Sequence, residues 1–206
     1  MLHDAWLDAW LPDLKAAAGT TGRVLELGCG HGDDTATLAA ADLAVTAIDR
    51  SAVAVGGARL RAPSASLHVG DLRAPWPRED EPIGAVVASL SLHYFPWAET
   101  EALVRRIHRV LVPGGLLLCR LNSTDDVNFG ATGHAEVEPH LHLVDGRPKR
   151  FFDRADVERL FRPGWHALGV RARRTGKYGR TKALWEVVLR KDGATAGGSD
   201  PPMRTP

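Results

Sequence analysis

Between Arg23 and Leu121, short apolar runs alternate with segments in which apolar residues recur every three or four positions. RVLEL at 23–27 predicts a strand. DDTATLAAA at 33–41 predicts a helix with acids in its first turn, where the helix dipole favours negative charge. LAVTAI at 43–48 is a second strand, and SAVAVGGARLR at 51–61 a helix opened by Ser51, a good N-cap. SLHV at 66–69 is a third strand. IGAVVAS at 83–89 is small and branched throughout, as a strand covered on both faces should be. WAETEALVRRIHRVL at 97–111 is a long helix stopped by Pro-Gly-Gly, and LLLCRL at 116–121 a fifth strand. The alternation predicts an α/β fold, a doubly wound and mostly parallel sheet with helices on both faces.

The flanks read differently. Leu2, Ala5, Trp6, Ala9, Trp10 and Leu14 fall on one helical stripe, which predicts an amphipathic helix packed on the sheet. Residues 122–150 are polar and dotted with glycine, and no regular structure is expected there. So long an irregular stretch in a compact domain is more often functional than neutral. FFDRADVERLF at 151–161 restores a helix with Asp153 as N-cap, and WHALGVRAR and KALWEVVLR form a final antiparallel hairpin. The expected arrangement is one domain over 1–190, seven strands with the last antiparallel, a substrate-side insertion at 122–150 and a disordered tail at 191–206.

Composition narrows the class rather than the function. A formal net charge of +1, from 26 basic and 25 acidic residues, gives no global attraction to nucleic acid or anionic membranes. No run approaches the roughly 18 apolar residues of a membrane span. Cys29 and Cys119 both sit in or beside apolar runs, which points to a reducing, cytoplasmic setting.

The chemistry concentrates in RVLELGCGHGDD. Gly28, Gly30 and Gly32 let the chain turn sharply beside a ligand, yet Asp33 stands where a dinucleotide fingerprint needs its third glycine. Glu26, Asp33 and Asp34 surround the turn with negative charge, which repels a pyrophosphate and suits a cationic ligand. Asp49 ends the second strand, where a carboxylate can accept from two ribose hydroxyls, and Asp71 follows the third, placed to accept from an adenine amino group. A strand-end Asp alone is as often structural. The ordered set describes adenine, ribose and a cationic amino-acid end without phosphate, and S-adenosylmethionine fits that description.

On these residues the chain resembles the class I S-adenosylmethionine-dependent methyltransferases. VLELGCGHG is similar to their first motif, AIDRS to their acidic second-strand end, GDL to the adenine-side motif, VVASLSLHYF to the fourth-strand motif and LVPGGLLL to the turn before strand five. VDGRPKRFF and KALWE resemble more loosely the small free-standing bacterial members of tellurite-resistance-like type. The resemblance implies that Glu26, Gly28, Cys29, Gly30 and Gly32 surround the methionine end. Asp49 with Arg50 would serve the ribose, Asp71 and Leu72 the adenine, and Ser89 and Leu90 the approach to the sulfonium.

Methyl transfer needs alignment and water exclusion, and a base only when the acceptor must lose a proton. His93 and Tyr94, just past strand four, are the candidate catalytic residues; their other reading is packing over the cofactor. In GHAEVEPHLHLVDG, His134, Glu136, Glu138, His140 and His142 alternate, so on an extended chain all five would share one side. That pattern is open to metal ligation, but no metal is implied by the resemblance, and His134, Glu136, His140 and Arg147 are taken as substrate-lining. Arg147, Lys149 and Arg150, with Arg171, Arg173, Arg174, Lys177, Arg180 and Lys182, form two basic clusters read chiefly as a solvated face. The expected protein moves a methyl group to an O, N or S atom of a small molecule, as a monomer or homodimer. An RNA or protein methyltransferase and a non-catalytic cofactor-binding module are the alternatives.

Overall fold

The run IGAVVAS lies at the middle of a seven-stranded sheet, where both faces are covered and its side chains are almost wholly buried. The computed structural model describes residues 5–19 and 21–193. In chain order, a 3-10 turn (Ala5–Trp10) is followed by α1 (Leu11–Ala18), β1 (Arg23–Leu27), α2 (Asp33–Ala40), β2 (Ala44–Asp49), α3 (Ala52–Arg61), β3 (Ser66–Val69) and β4 (Ile83–Ser89). Next come α4 (Trp97–Val110), β5 (Leu111–Asn122), β6 (Glu136–Glu138), β7 (Leu141–Val144), β8 (Arg147–Arg150), α5 (Arg154–Leu160), β9 (Trp165–Thr175) and β10 (Lys182–Lys191). The large sheet runs β3-β2-β1-β4-β5-β10-β9. β1 pairs in parallel with both β2 and β4, so the winding reverses between β1 and β4. Doubly wound sheets hold ligands at the carboxyl edge of that reversal. β10 is antiparallel to β5 and to β9, inserted between them.

Period-two alternation along the central strands divides the core. Leu25, Val86, Leu117 and Cys119 face α4 and α5 through Leu103, Ile107, Val157 and Leu160. Val24, Val87 and Leu118 face the opposite layer through Leu14, Leu38 and Val55. The N-terminal layer lies close: a Cβ at Gly84 of β4 would stand 2.4 Å from the Ala17 carbonyl oxygen. Ser51 caps α3 by accepting from Ala54 N at 3.2 Å, and Asp153 forms a capping box with Asp156 at α5.

Two expectations change. The single helix expected over Leu2–Leu14 is a 3-10 turn and then α1. Pro12 has no N–H to give an α-helix running through it, but it is tolerated in the first turn of one beginning at Leu11. Leu2 lies outside the described residues. The segment expected to be irregular holds a second sheet, β6-β7-β8. Its strands are three or four residues long and mostly exposed or half-buried, so they carry no run of buried apolar positions. The tail expected to be disordered lies, from residue 194, outside the described residues. No helix among the described residues is long and apolar enough to cross a membrane.

Candidate functional site

At the end of β1 the chain turns through Gly28 and Gly32, with φ of +79° and +86°. A Cβ on Gly28 would stand 2.3 Å from Ser91 Cβ, and one on Gly32 2.8 Å from Ala58 Cα of α3, so neither position accepts a side chain. Gly28 N and Cys29 N both donate to the Ile48 carbonyl, at 2.8 and 3.0 Å, which ties the turn to β2. Asp49 completes the tie. Its Oδ2 accepts from Gly30 N and its Oδ1 from Ser51 N, both at 2.9 Å. Each oxygen keeps a second lone pair. Arg50 follows Asp49 at the same edge. The Cys29 thiol is pushed up to about 12 by burial and by Glu26, so it is no nucleophile.

Glu26 is buried at 2% exposure and accepts from the Thr35 hydroxyl at 2.6 Å. Burial, then Asp34, and to a lesser degree Asp49 and Asp33, push its carboxyl up to about 8 against the Thr35 hydrogen bond. Asp34 accepts from Trp6 Nε1 at 2.9 Å and lies 4.0 Å from Arg120 Nη2. Arg120, buried in β5, donates from Nε to Ser89 Oγ at 2.9 Å and stacks on Trp6 at 4.4 Å. Asp33 pairs with Arg61 and, at 3.2 Å, with Lys177. Trp6, Arg120 and Lys177 therefore belong to the site's surroundings, and sequence reasoning assigned none of them there. For Arg120 the signal existed: a guanidinium inside LLLCRL is a charge in a strand that is otherwise apolar.

Asp71 is already engaged. Arg73 holds it through Nε at 2.9 Å, Nη2 at 2.7 Å and its own backbone N at 2.9 Å, and these contacts keep the carboxyl near 2. Leu72 is buried beside it, and its carbonyl accepts from Trp76 Nε1 at 2.8 Å. Leu90 takes φ +54° and donates its N–H to the Arg120 carbonyl at 2.9 Å, which presents the loop after β4 to the glycine turn.

His93 and Tyr94 separate. The His93 ring is buried, and neither nitrogen has a hydrogen-bond partner among the described residues. Burial, then Lys182 and Lys149, hold it well below the ordinary histidine range, so it stays neutral. Tyr94 is 46% exposed with its ring 4.1 Å from that of His93. Partial burial, then Asp49, push its hydroxyl above the ordinary value.

The alternating acids and histidines of 134–142 do not share one side. The chain reverses at Pro139 and His140, where φ is +61°, and Glu136 faces His142 across β6 and β7. Glu136 accepts from His140 N at 2.7 Å, and His140 Nδ1 meets Asp156 Oδ2 at 2.6 Å, away from the glycine turn. His134 offers only its carbonyl, to His142 at 3.5 Å, and Arg147 sits exposed on β8. His140, Asp153 and Asp156 bring potential ligand atoms within 4.8 Å of one another, but both acids are engaged in capping α5. Glu138 instead accepts from Trp97 N at 2.6 Å and pairs with buried Arg150, whose Nε and Nη1 reach the carbonyls of Phe95 and Pro139 at 3.3 and 3.0 Å. These bonds clamp the small sheet onto the loop between β4 and α4. The expected solvated basic face is likewise only half present. Arg171, Arg173, Arg174 and Arg180 are exposed, whereas Arg150 and Lys182 are buried and Lys149 is half-buried.

Residues 24–115 match the family model of the methyltransferase domain. Over these residues the chain is similar to methyltransferase domains, and the solved structures it resembles include S-adenosylmethionine-dependent methyltransferases. An uncharacterized methyltransferase of Synechocystis is 33% identical over 106 residues, covering 52% of this chain and 50% of its own. A trans-aconitate 2-methyltransferase of Variovorax paradoxus is 33% identical over 101 residues, covering 48% of this chain and 38% of its own. The chain thus spans half or less of the length of these curated relatives. Among solved structures, an S-adenosylmethionine-dependent methyltransferase from Mesorhizobium loti superposes with a TM-score of 0.65 at 22% identity, covering 87% of this chain and 96% of its own. The glycopeptide N-methyltransferase MtfA, complexed with sinefungin, does so at 0.61 and 22%, covering 90% and 86%.

Proposed function

We propose that the protein transfers the methyl group of S-adenosylmethionine to an O, N or S atom of a small-molecule acceptor. The observation that carries this reading is the acidic glycine turn. Glu26, Asp33, Asp34 and Asp49 converge where a dinucleotide would need its pyrophosphate, and burial and then Asp34 push the Glu26 carboxyl up to about 8. A ligand with an ammonium and a sulfonium fits that donor set; a phosphate does not.

In this reading Glu26 and the Gly28–Gly32 turn, with Cys29, enclose the amino-acid end, and Ser89 and Leu90 flank the approach to the sulfonium. Asp49, its geometry set by Gly30 N and Ser51 N, directs its remaining lone pairs at the ribose hydroxyls, beside Arg50. Asp71, beside Leu72, shares itself between Arg73 and the adenine amino group. The cofactor supplies an activated methyl and a good leaving group. Trp6, Arg120 and the clamped β6–β8 sheet exclude water and align the acceptor. His93 is neutral and shielded, a poor proton acceptor as placed, while Tyr94 reaches the open side of the site near Asp49. That pair suits an acceptor whose reacting atom needs little help to lose a proton. The trans-aconitate methyltransferases among the relatives support a small acceptor, and His134, Glu136, His140 and Arg147 of the small sheet remain its proposed outer contacts. We read the protein as cytoplasmic, a monomer or homodimer.

Titration calorimetry with S-adenosylmethionine, S-adenosylhomocysteine and NADH tests this. The first two should bind saturably and NADH should not. Binding of NADH alone would overturn the reading, and tight cofactor binding without turnover on a broad acceptor panel would favour a non-catalytic module.

A further inference from the structure

A second set of charged groups gathers around Phe129. Lys149 of β8 and Lys182 of β10 place their ammonium groups 5.7 and 4.8 Å from the centre of one ring, Phe129. Asp126, 1% exposed, spends Oδ2 on Lys182 Nζ at 2.6 Å and Oδ1 on Ala183 N at 3.0 Å. Lys149 Nζ donates to the Phe129 carbonyl at 2.7 Å, and no carboxylate among the described residues lies within ion-pair distance of it. β8 also packs against the Leu92–Tyr94 turn, which carries buried His93 with both ring nitrogens unpartnered.

Lys149, Lys182 and Asp126, with Arg120 acting on Lys182 and Asp145 on Lys149, together leave a single positive charge in excess in a partly desolvated place. Burial, then the neighbouring Lys182, bring the Lys149 ammonium down to about 8, so it is still charged at neutral pH but held there at a cost. A bound anion would remove that cost and gain a charge-assisted hydrogen bond.

Resting on the methyltransferase reading, we propose that the acceptor carries a carboxylate that anchors on Lys149, beside the Lys182–Asp126 pair. One uncompensated charge matches a carboxylate rather than a phosphate dianion. The anchor orients the acceptor with its reacting atom toward Tyr94 and the cofactor side.

The test uses the full chain, saturated with S-adenosylhomocysteine, with lysine side chains labelled for NMR and Lys149 assigned from Lys149→Met. Acetate, acetamide and inorganic phosphate are titrated as minimal probes. Acetate should shift the Lys149 signals saturably and acetamide should not. Lys149→Met should weaken acetate binding at least about tenfold, read at Lys182, and Lys149→Arg should retain it. Equal response to acetate and acetamide, no response to either, or phosphate binding more tightly than acetate would each overturn the anchor. Failure of S-adenosylhomocysteine to bind in the same samples would instead strike the cofactor reading, whatever Lys149 does.

Discussion

The two ends of the site differ in charge and in how they are assembled. The glycine-turn end is acidic, built from Glu26, Asp33, Asp34 and Asp49, all within two consecutive strand-turn-helix units. The far end is cationic, built from Lys149 and Lys182 on two strands, with Asp126 as its carboxylate. A ligand that is positive at one end suits the first and an anionic partner suits the second. The two ends thus differ in sign, which a net charge of +1 conceals.

The largest expected effect comes from removing the acid that ties the first end together. Asp49→Ala removes the carboxylate proposed for the ribose and frees Gly30 N and Ser51 N, so calorimetry should show S-adenosylhomocysteine binding weakened at least about a hundredfold. Unchanged affinity in a folded variant would remove Asp49 from the site. Next comes Gly28→Ala. It combines a left-handed φ with a Cβ against Ser91 and should cost roughly 1–3 kcal/mol in denaturant unfolding, even before ligand is added. A stable variant would mean that the loop after β4 yields easily.

Glu26 gives a pH signature opposite in sign to that of Lys149, whose lowered value adds stability as pH rises above about 8. For Glu26 the folded-state value of about 8 lies above the ordinary 4.5, so between those values the folded chain holds a proton that the unfolded chain has released. The contribution of Glu26 to stability therefore falls as pH rises through that window and levels off above it, against the rise that buried His93 contributes below about 6.5. Thermal melts of Glu26→Gln should lose this slope; a wild-type slope persisting in the variant would assign it to another group. The smallest effect is expected from Asp71→Ala. Arg73 already occupies that carboxylate, so cofactor affinity should drop only by about tenfold or less. A loss equal to that of Asp49→Ala would show that Arg73 leaves Asp71 when ligand binds.

Much of the acidic end was legible in the chain. Gly28 and Gly32 follow an apolar run directly, and the helix acids and Asp49 occupy strand-end and helix-start positions set by local periodicity. His93 was legible as a position but not as a chemical state: nothing nearby in the chain tells that both ring nitrogens would be shielded and unpartnered. The pattern from His134 to His142 misled for a definite reason. Alternation places side chains together only if the chain stays extended, and it reverses at His140.

What the amino-acid sequence by itself determined is the order of strands and helices from β1 to β5 and from α5 to β10, the caps at Ser51 and Asp153, and the acidic glycine turn. These depend on residues a few positions apart, whose dihedral preferences and hydrogen bonds act locally. Only the tertiary structure decided that β10 slips between β5 and β9, that Trp6 and Arg120 meet over Asp34, that Lys182 claims Asp126, and that Lys149 and Lys182 share the Phe129 ring. Those contacts join residues distant in the chain, and their energy depends on burial and on neighbours that exist only after the sheet has assembled.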